Sequence, residues 1–315
     1  MLINVAFGNL EITFFAWLFL IIAVPILHVF HTGLRTSSFG PYNLFGIVAF
    51  IYLKIEHIVM RIANYFVTGK WSWFFRSRIR RFIFDEVRML MTQVITLEPY
   101  TIEESKAIVK NIFRDHPNVY LVNRICPCRA ATNKILNKDG TPYDDKPIVT
   151  DIVFLTKTNG LAHSKGAKGF MRFISIKDVL KLLDKFEQAG LVHAFMGPCP
   201  SVYGSAMMTI CNCHPEICLP MVWFKKKRFS FFDKGHNKAV IDLDKCTGCG
   251  NCIARCPINA RKLINGKAVV LDHCFGCGTC RVSCEGQATR MIPSRKAQYY
   301  PEYMIRKKDG SFIAS

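Results

Sequence analysis

The sequence predicts an α+β protein behind a membrane element. A transmembrane helix and an amphipathic interface helix lead into an α+β cysteine-bearing module and a small cysteine-rich repeat domain. Three observations predict this: an apolar run near the N-terminus, alternating helix-type and strand-type segments in the middle, and two copies of one four-cysteine run near the end. The expected divisions are a transmembrane anchor (1–35), an amphipathic interface segment (36–97), the α+β module (98–222), a basic linker (223–239), the repeat domain (240–292) and a tail (293–315).

The first element runs from Ile12 to Phe30, 19 residues without a charge. At about 1.5 Å per residue such a helix spans roughly 28 Å, close to the hydrocarbon thickness of a bilayer. A cleaved signal peptide fits less well, because no Lys or Arg precedes the run and no small-residue cleavage site follows it. Basic residues begin at Arg35 and continue through Lys54, Arg61, Lys70, Arg76, Arg78, Arg80 and Arg81, whereas only Glu11 is charged before the run. The positive-inside rule therefore places the N-terminus outside and the remainder on the cytoplasmic face of a cell membrane, single-pass. Ile55, Ile58, Val59, Ile62, Ala63 and Phe66 then fall at helical spacing, and aromatics interleave with arginines up to Phe84. That is the pattern of an amphipathic helix lying in the lipid interface; a second span forming a hairpin is the alternative, and it opposes the charge bias. His28, His31 and His57 are interface residues, or ligands for a haem shared between subunits.

The module at 98–222 opens with Thr101-Ile-Glu-Glu104, a capping-box pattern for a helix reaching about Arg114. Val119–Val122 and Pro147–Thr156 read as strands and the polar stretch 137–146 as a surface loop. Ser175-Ile-Lys-Asp178 caps a helix ending at Gly190, and Leu191–Phe195 follows as a strand. Six cysteines lie here: Cys126, Cys128, Cys199, Cys211, Cys213 and Cys218. Two C-x-C pairs can close around one metal centre if the fold brings them together. A third 4Fe–4S cluster at Cys126, Cys128, Cys211 and Cys213 is expected, with Cys218 and Cys199 as alternates. Structural zinc at this site, a larger cluster, and inert buried cysteines remain open. Arg129 is expected to donate to cluster sulfur, or else to be a surface charge.

The repeat domain carries Cys246, Cys249, Cys252 and Cys256, then Cys274, Cys277, Cys280 and Cys284, at an offset of 28 residues. Both runs read C-x2-C-x2-C-x3-C, in which three thiolates hold one cubane and the fourth reaches the other. One 4Fe–4S cluster thus falls to Cys246, Cys249, Cys252 and Cys284, the other to Cys274, Cys277, Cys280 and Cys256. A zinc ribbon would need separated Cys pairs instead of tandem runs of four. Asn265-Gly266 reads as a hairpin turn between the halves. This stretch resembles a bacterial-type two-cluster ferredoxin, with Glu285 where that family usually has proline. Ile125-Cys-Pro-Cys-Arg129, Ala189-Gly-Leu-Val-His193 and Ile210-Cys-Asn-Cys213 extend the likeness over roughly residues 98–292. They resemble a family of prokaryotic iron–sulfur proteins in which such a module precedes the dicluster domain. The resemblance implies an electron carrier with further cysteine-bound metal and no named substrate; His214 and the single Cys218 depart from the cysteine-richer members.

Fourteen cysteines in a chain of 315 residues, eight in cluster spacing, point to a reducing compartment. The formal charge of +19 suits an anionic membrane surface or an acidic redox partner; no nucleic-acid motif accompanies it. There is no dinucleotide or phosphate-binding loop and no Ser/His/Asp set. The expectation is a membrane-anchored electron-transfer subunit of a redox complex, with lipid and protein partners and no catalytic residue of its own. Two alternatives are a reductase of a disulfide or small oxidised substrate at the third site, and an anchoring protein with structural clusters. The basic linker at Trp223–Lys238 is either a docking surface or a solvated connection.

Overall fold

The structure, a computed structural model, describes residues 97–115, 119–156, 172–196, 208–227 and 232–295, and part of the stretch 57–68. The expected transmembrane helix, most of the interface segment, Cys199 and the tail lie outside the described residues. Among the described residues no helix is long and apolar enough to cross a membrane.

The fold is α+β. In chain order its elements are β1 (Leu97–Pro99), α1 (Ile102–Asp115), β2 (Val119–Ile125), α2 (Pro127–Thr132), β3 (Val149–Thr156), β4 (Arg172–Ile174), α3 (Ile176–Gln188), β5 (Val192–Met196), β6 (Met208–Cys213) and α4 (Leu219–Lys227). The repeat domain adds β7 (Asn237–Ile241), α5 (Asn251–Ala254), β8 (Arg261–Ile264), β9 (Lys267–Val270), α6 (Thr279–Val282) and β10 (Thr289–Pro293). Six strands form one sheet in the order β1-β5-β6-β3-β2-β4, every pair antiparallel.

Both helix starts expected from sequence are built as capping boxes. Thr101 N donates to Glu104 Oε2 at 2.9 Å while Glu104 N donates to Thr101 Oγ1 at 3.4 Å; Ser175 and Asp178 exchange the equivalent pair. Each satisfies donors that a helix start leaves without partners. Helices α1 and α3 then bury Ile108, Ile112, Val179, Leu183 and Phe186 against Leu121, Ile152, Phe195 and Ile210 on one face of the sheet. On β6 this face takes Ile210 and Asn212, so period-two alternation sends Cys211 and Cys213 to the other. That second face carries Val192, Ala194 and Cys213 and packs on α2, α4 and the repeat domain.

The expected linker differs from expectation. Trp223 lies inside α4 and is buried at 1% exposure, with Nε1 donating to Asn64 Oδ1 at 3.0 Å. Its ring covers the second face of the sheet, where a solvated connector would leave that apolar surface wet. The described residues of 57–68 are helical. Met60 packs on the same core, and Arg61 donates to Ala130 O, Ala131 O and Asn133 Oδ1, capping the C-terminus of α2 with a cation.

The repeat domain is docked on the module through specific polar contacts. Asn237 Nδ2 donates to the buried Glu104 carboxylate, Arg281 pairs with Glu103, and Arg255 Nη2 donates to Glu187 O at 2.8 Å at the C-terminal end of α3. Burial pushes the Glu104 carboxyl upward, opposed by the Thr101 hydrogen bonds, His236 and Asn237. The two capped helices thus present their ends to the cysteine repeat. The hairpin β8–β9 turns at Asn265 and Gly266, with φ of 49° and 73°, the left-handed pair an Asn-Gly turn supplies.

Candidate metal centres

The 28-residue repeat is matched by a repeated backbone. Gly248 and Gly276 have φ of 73° and 77°, Gly250 and Gly278 both 81°, and Asn259 and Gln287 are left-handed at 56° and 50°. A Cβ on Gly248 would lie 2.2 Å from Gly266 O, and one on Gly276 only 2.0 Å from Asn237 O. At those two places the loop passes too close to neighbouring backbone for any side chain. The tight loops bury Cys246, Cys252 and Cys280 and leave Cys249 exposed.

The thiols gather in the crossed arrangement. Cys246, Cys249, Cys252 and Cys284 line one cavity with Ala268 and Ala288, and Cys252 feels the charges of the other three. Cys256 lies beside Cys274, and Cys280 feels both; Cys277 feels Cys280 and Cys256. Each fourth cysteine therefore joins the opposite run. Backbone N–H groups already point at sulfur: Ala268 N lies 3.4 Å from Cys246 Sγ and Ala260 N 3.1 Å from Cys256 Sγ. The hydrogen bonds from Ala268 and Gly248 lower the Cys246 thiol, while burial pushes Cys280 up to about 11. Such donors favour thiolate, the form that binds iron.

In the module a chain of thiol contacts runs Cys126–Cys128–Cys218–Cys213–Cys211. Cys126 and Cys128 straddle the end of β2 and the start of α2, Cys213 ends β6, and Cys218 precedes α4. Four elements thus converge on this point. Cys126 is held well above the usual thiol range by its contact with Cys128 and by burial, and Cys213 by its contacts with Cys211 and Cys218 and then burial. Cys218 is the exception: burial opposes it most strongly, yet hydrogen bonds from Cys128 and Cys213 bring it down to about 6. The thiols thus bond to one another, a donor set that a metal would deprotonate.

Two sequence expectations shift here. Cys218, named only as an alternate, sits within the set, in contact with both Cys128 and Cys213. Cys211 stands at its edge, half-buried, 4.0 Å from Asp151 Oδ2. The Arg129 guanidinium goes to a carboxylate and not to sulfur: it is buried at 1% exposure and grips Asp144 with both terminal nitrogens at 3.1 and 2.8 Å, and only its backbone N–H bonds to Cys126. A buried guanidinium needs a carboxylate, and the 137–146 loop brings one. His214 sits against the same carboxylate, Nε2 at 3.4 Å from Asp144 Oδ2, with Nδ1 accepting from Glu216 N. Burial and then Arg129 lower it to about 4, so it is neutral at pH 7. His193, from the third resemblance motif, faces the other layer and meets Asn212 Oδ1 at 2.6 Å. The sequence reading also missed Arg261; a charge after Ala260, where the second half of the repeat has neutral Thr289 after Ala288, was its signal.

Among the described residues no three His, Cys, Asp or Glu side chains converge on a single-ion position. A cubane poses a different requirement, because each thiolate binds a different iron and the four surround a body instead of a point. The thiol-only donors, the cavity and the sulfur-directed N–H groups fit such a group in the repeat domain. Four thiols drawn from four elements fit one in the module.

Comparison with known proteins agrees for the repeat. Residues 238–285 match the family described as 4Fe-4S dicluster domain. Ferredoxin-2 of Desulfomicrobium norvegicum is 53% identical over 30 residues, 10% of this chain and 51% of the relative. The chain thus spans about half the length of the curated relative it matches. No solved structure matches it significantly. The C-terminal region is a ferredoxin-type 4Fe–4S dicluster domain, and the chain is an iron–sulfur protein.

Proposed function

We propose that this chain is a membrane-anchored electron-transfer subunit with three 4Fe–4S centres: the two of the dicluster domain and a third held by Cys126, Cys128, Cys213 and Cys218. The single observation that carries the reading is the shared core between the domains. Cys126, Cys128, Cys213 and Cys218 pack in one apolar cluster with Ile258 and Phe275 and with Cys256, Cys274 and Cys277. The thiol sets therefore stand in a row, with the Cys274 set in the middle and the Cys246 set at the far end. Clusters bound there supply one-electron uptake and release. The chain contributes the row, the apolar packing between the third set and the Cys274 set, and the polar contacts that fix one domain against the other.

The membrane part of the reading rests on the apolar run Ile12–Phe30 and the basic residues after it. It is supported by Ile58 and Ile62, which are 48% and 54% exposed on the helical stretch that Arg61 ties to α2. The fifth thiol favours a second reading. Cys211 lies beside a set already four strong, which suits reduction of a disulfide or small oxidised substrate there.

Replacing Cys218 by Ser should remove the third centre's iron, about four atoms per chain, and leave the dicluster signals intact. Cys211→Ser should retain that iron. Loss of iron on Cys211→Ser with none on Cys218→Ser would reject this ligand set, and turnover abolished by Cys211→Ser with all iron retained would support the second reading.

A further inference from the structure

We propose that Arg261 raises the reduction potential of the cluster held by Cys256, Cys274, Cys277 and Cys280 above that of its partner in the dicluster domain. The proposal rests on the reading that both four-thiol sets carry 4Fe–4S clusters.

Arg261 opens β8 and is 4% exposed. Its Nη2 donates to Cys280 Sγ at 2.8 Å, and its buried Nη1 has no hydrogen-bond partner. Among the described residues its one side-chain hydrogen bond thus ends on sulfur, not on a carboxylate. Burying a guanidinium without an opposite charge is costly, and Arg124 and Arg129, the other deeply buried arginines among the described residues, have Asp151 and Asp144 for that purpose. For Arg261 the opposite charge is the thiolate body itself. Its positive charge also reaches Cys246, Cys252 and Cys256, so it lies between the two sets.

The internal repeat shows that the arrangement is one-sided. Position 261 corresponds to 289 in the second half, each following an alanine and a left-handed residue, Asn259 or Gln287. The counterpart, Thr289, is buried at 3% and neutral, and it lines the cavity of the Cys246 set. The two sets therefore sit in matching loops, but among the described residues only the Cys280 set receives a hydrogen bond to sulfur from a cation; at the Cys246 set Lys267 stops at the backbone, its Nζ donating to Cys246 O at 2.7 Å. Reduction adds one electron to a set and moves no proton, because a guanidinium stays protonated throughout. The added negative charge is stabilised by the cation and by the N–H···S bond. The potential of the Cys280 set rises, and that set is the one adjoining the third thiol site.

The test is a redox titration of the full chain, followed by electron paramagnetic resonance, for wild type, Arg261→Thr and Arg261→Lys. Arg261→Thr copies the residue of the other half, so it is the substitution these loops already accommodate. The signal lost in Cys256→Ser identifies the cluster in question. Arg261→Thr should lower that potential by at least tenfold in the one-electron equilibrium, about 59 mV, and should move the other cluster less. Arg261→Lys, which keeps the charge, should recover part of the shift. Equal potentials in wild type and Arg261→Thr would overturn the proposal, as would equal shifts in Thr and Lys variants, which would make packing the cause. Loss of the cluster in both variants would overturn it too, making Arg261 a requirement for assembly. A wild type lacking two reducible clusters would refute the underlying reading instead.

Discussion

Cys256→Ser should abolish the cluster of the second cysteine run and spare that of the first, although Cys256 belongs to the first run. In space it lies beside Cys274 and within reach of Cys277 and Cys280, while Cys284 fills the corresponding place in the cavity of Cys246, Cys249 and Cys252. Iron should fall by about four atoms per chain. The residual paramagnetic spectrum of Cys256→Ser should match that of Cys277→Ser and differ from that of Cys249→Ser. A match with Cys249→Ser would refute the crossed arrangement.

The second large effect is steric. Gly276→Ala places a Cβ 2.0 Å from Asn237 O, at a φ of 77°. The left-handed conformation alone costs about 1–2 kcal/mol for a residue with a Cβ. The clash adds more, because Asn237 cannot retreat: it pairs with Pro293 in the β7–β10 ribbon and its side chain holds Glu104. A total loss of about 3 kcal/mol or more follows, since overpacking against fixed backbone contributes about 1–3 kcal/mol. Gly250→Ala is the control, with a φ of 81° and open space within 4 Å; it should cost only the conformational part. Denaturant midpoints of the iron-loaded protein measure both. Equal losses would show that the close approach to Asn237 does not matter.

Much of this molecule is legible in sequence because its determinants are local. Cysteine spacing, the Asn265-Gly266 turn and the Thr101 and Ser175 capping boxes each act within a few residues, and all reappear in the structure. What stayed hidden depends on tertiary contact. The short strands β1 and β4 are defined by pairing with β5 and β2 and carry little pattern of their own. Cys218 looks solitary in sequence, yet α4 begins where it meets Cys128 and Cys213. Arg129 finds its carboxylate fifteen residues on, at the end of a surface loop. The linker was misread because Lys225 and Lys226 dominate its composition, whereas Trp223 determines its packing.

The most direct test of the account is the iron, acid-labile sulfide and zinc content of anaerobically purified protein. Three thiolate sets holding cubanes predict about 12 irons and 12 sulfides per chain. About eight irons with one zinc would contradict a third redox centre, leaving the dicluster domain as the electron carrier and the cysteines of the α+β module as a structural clasp.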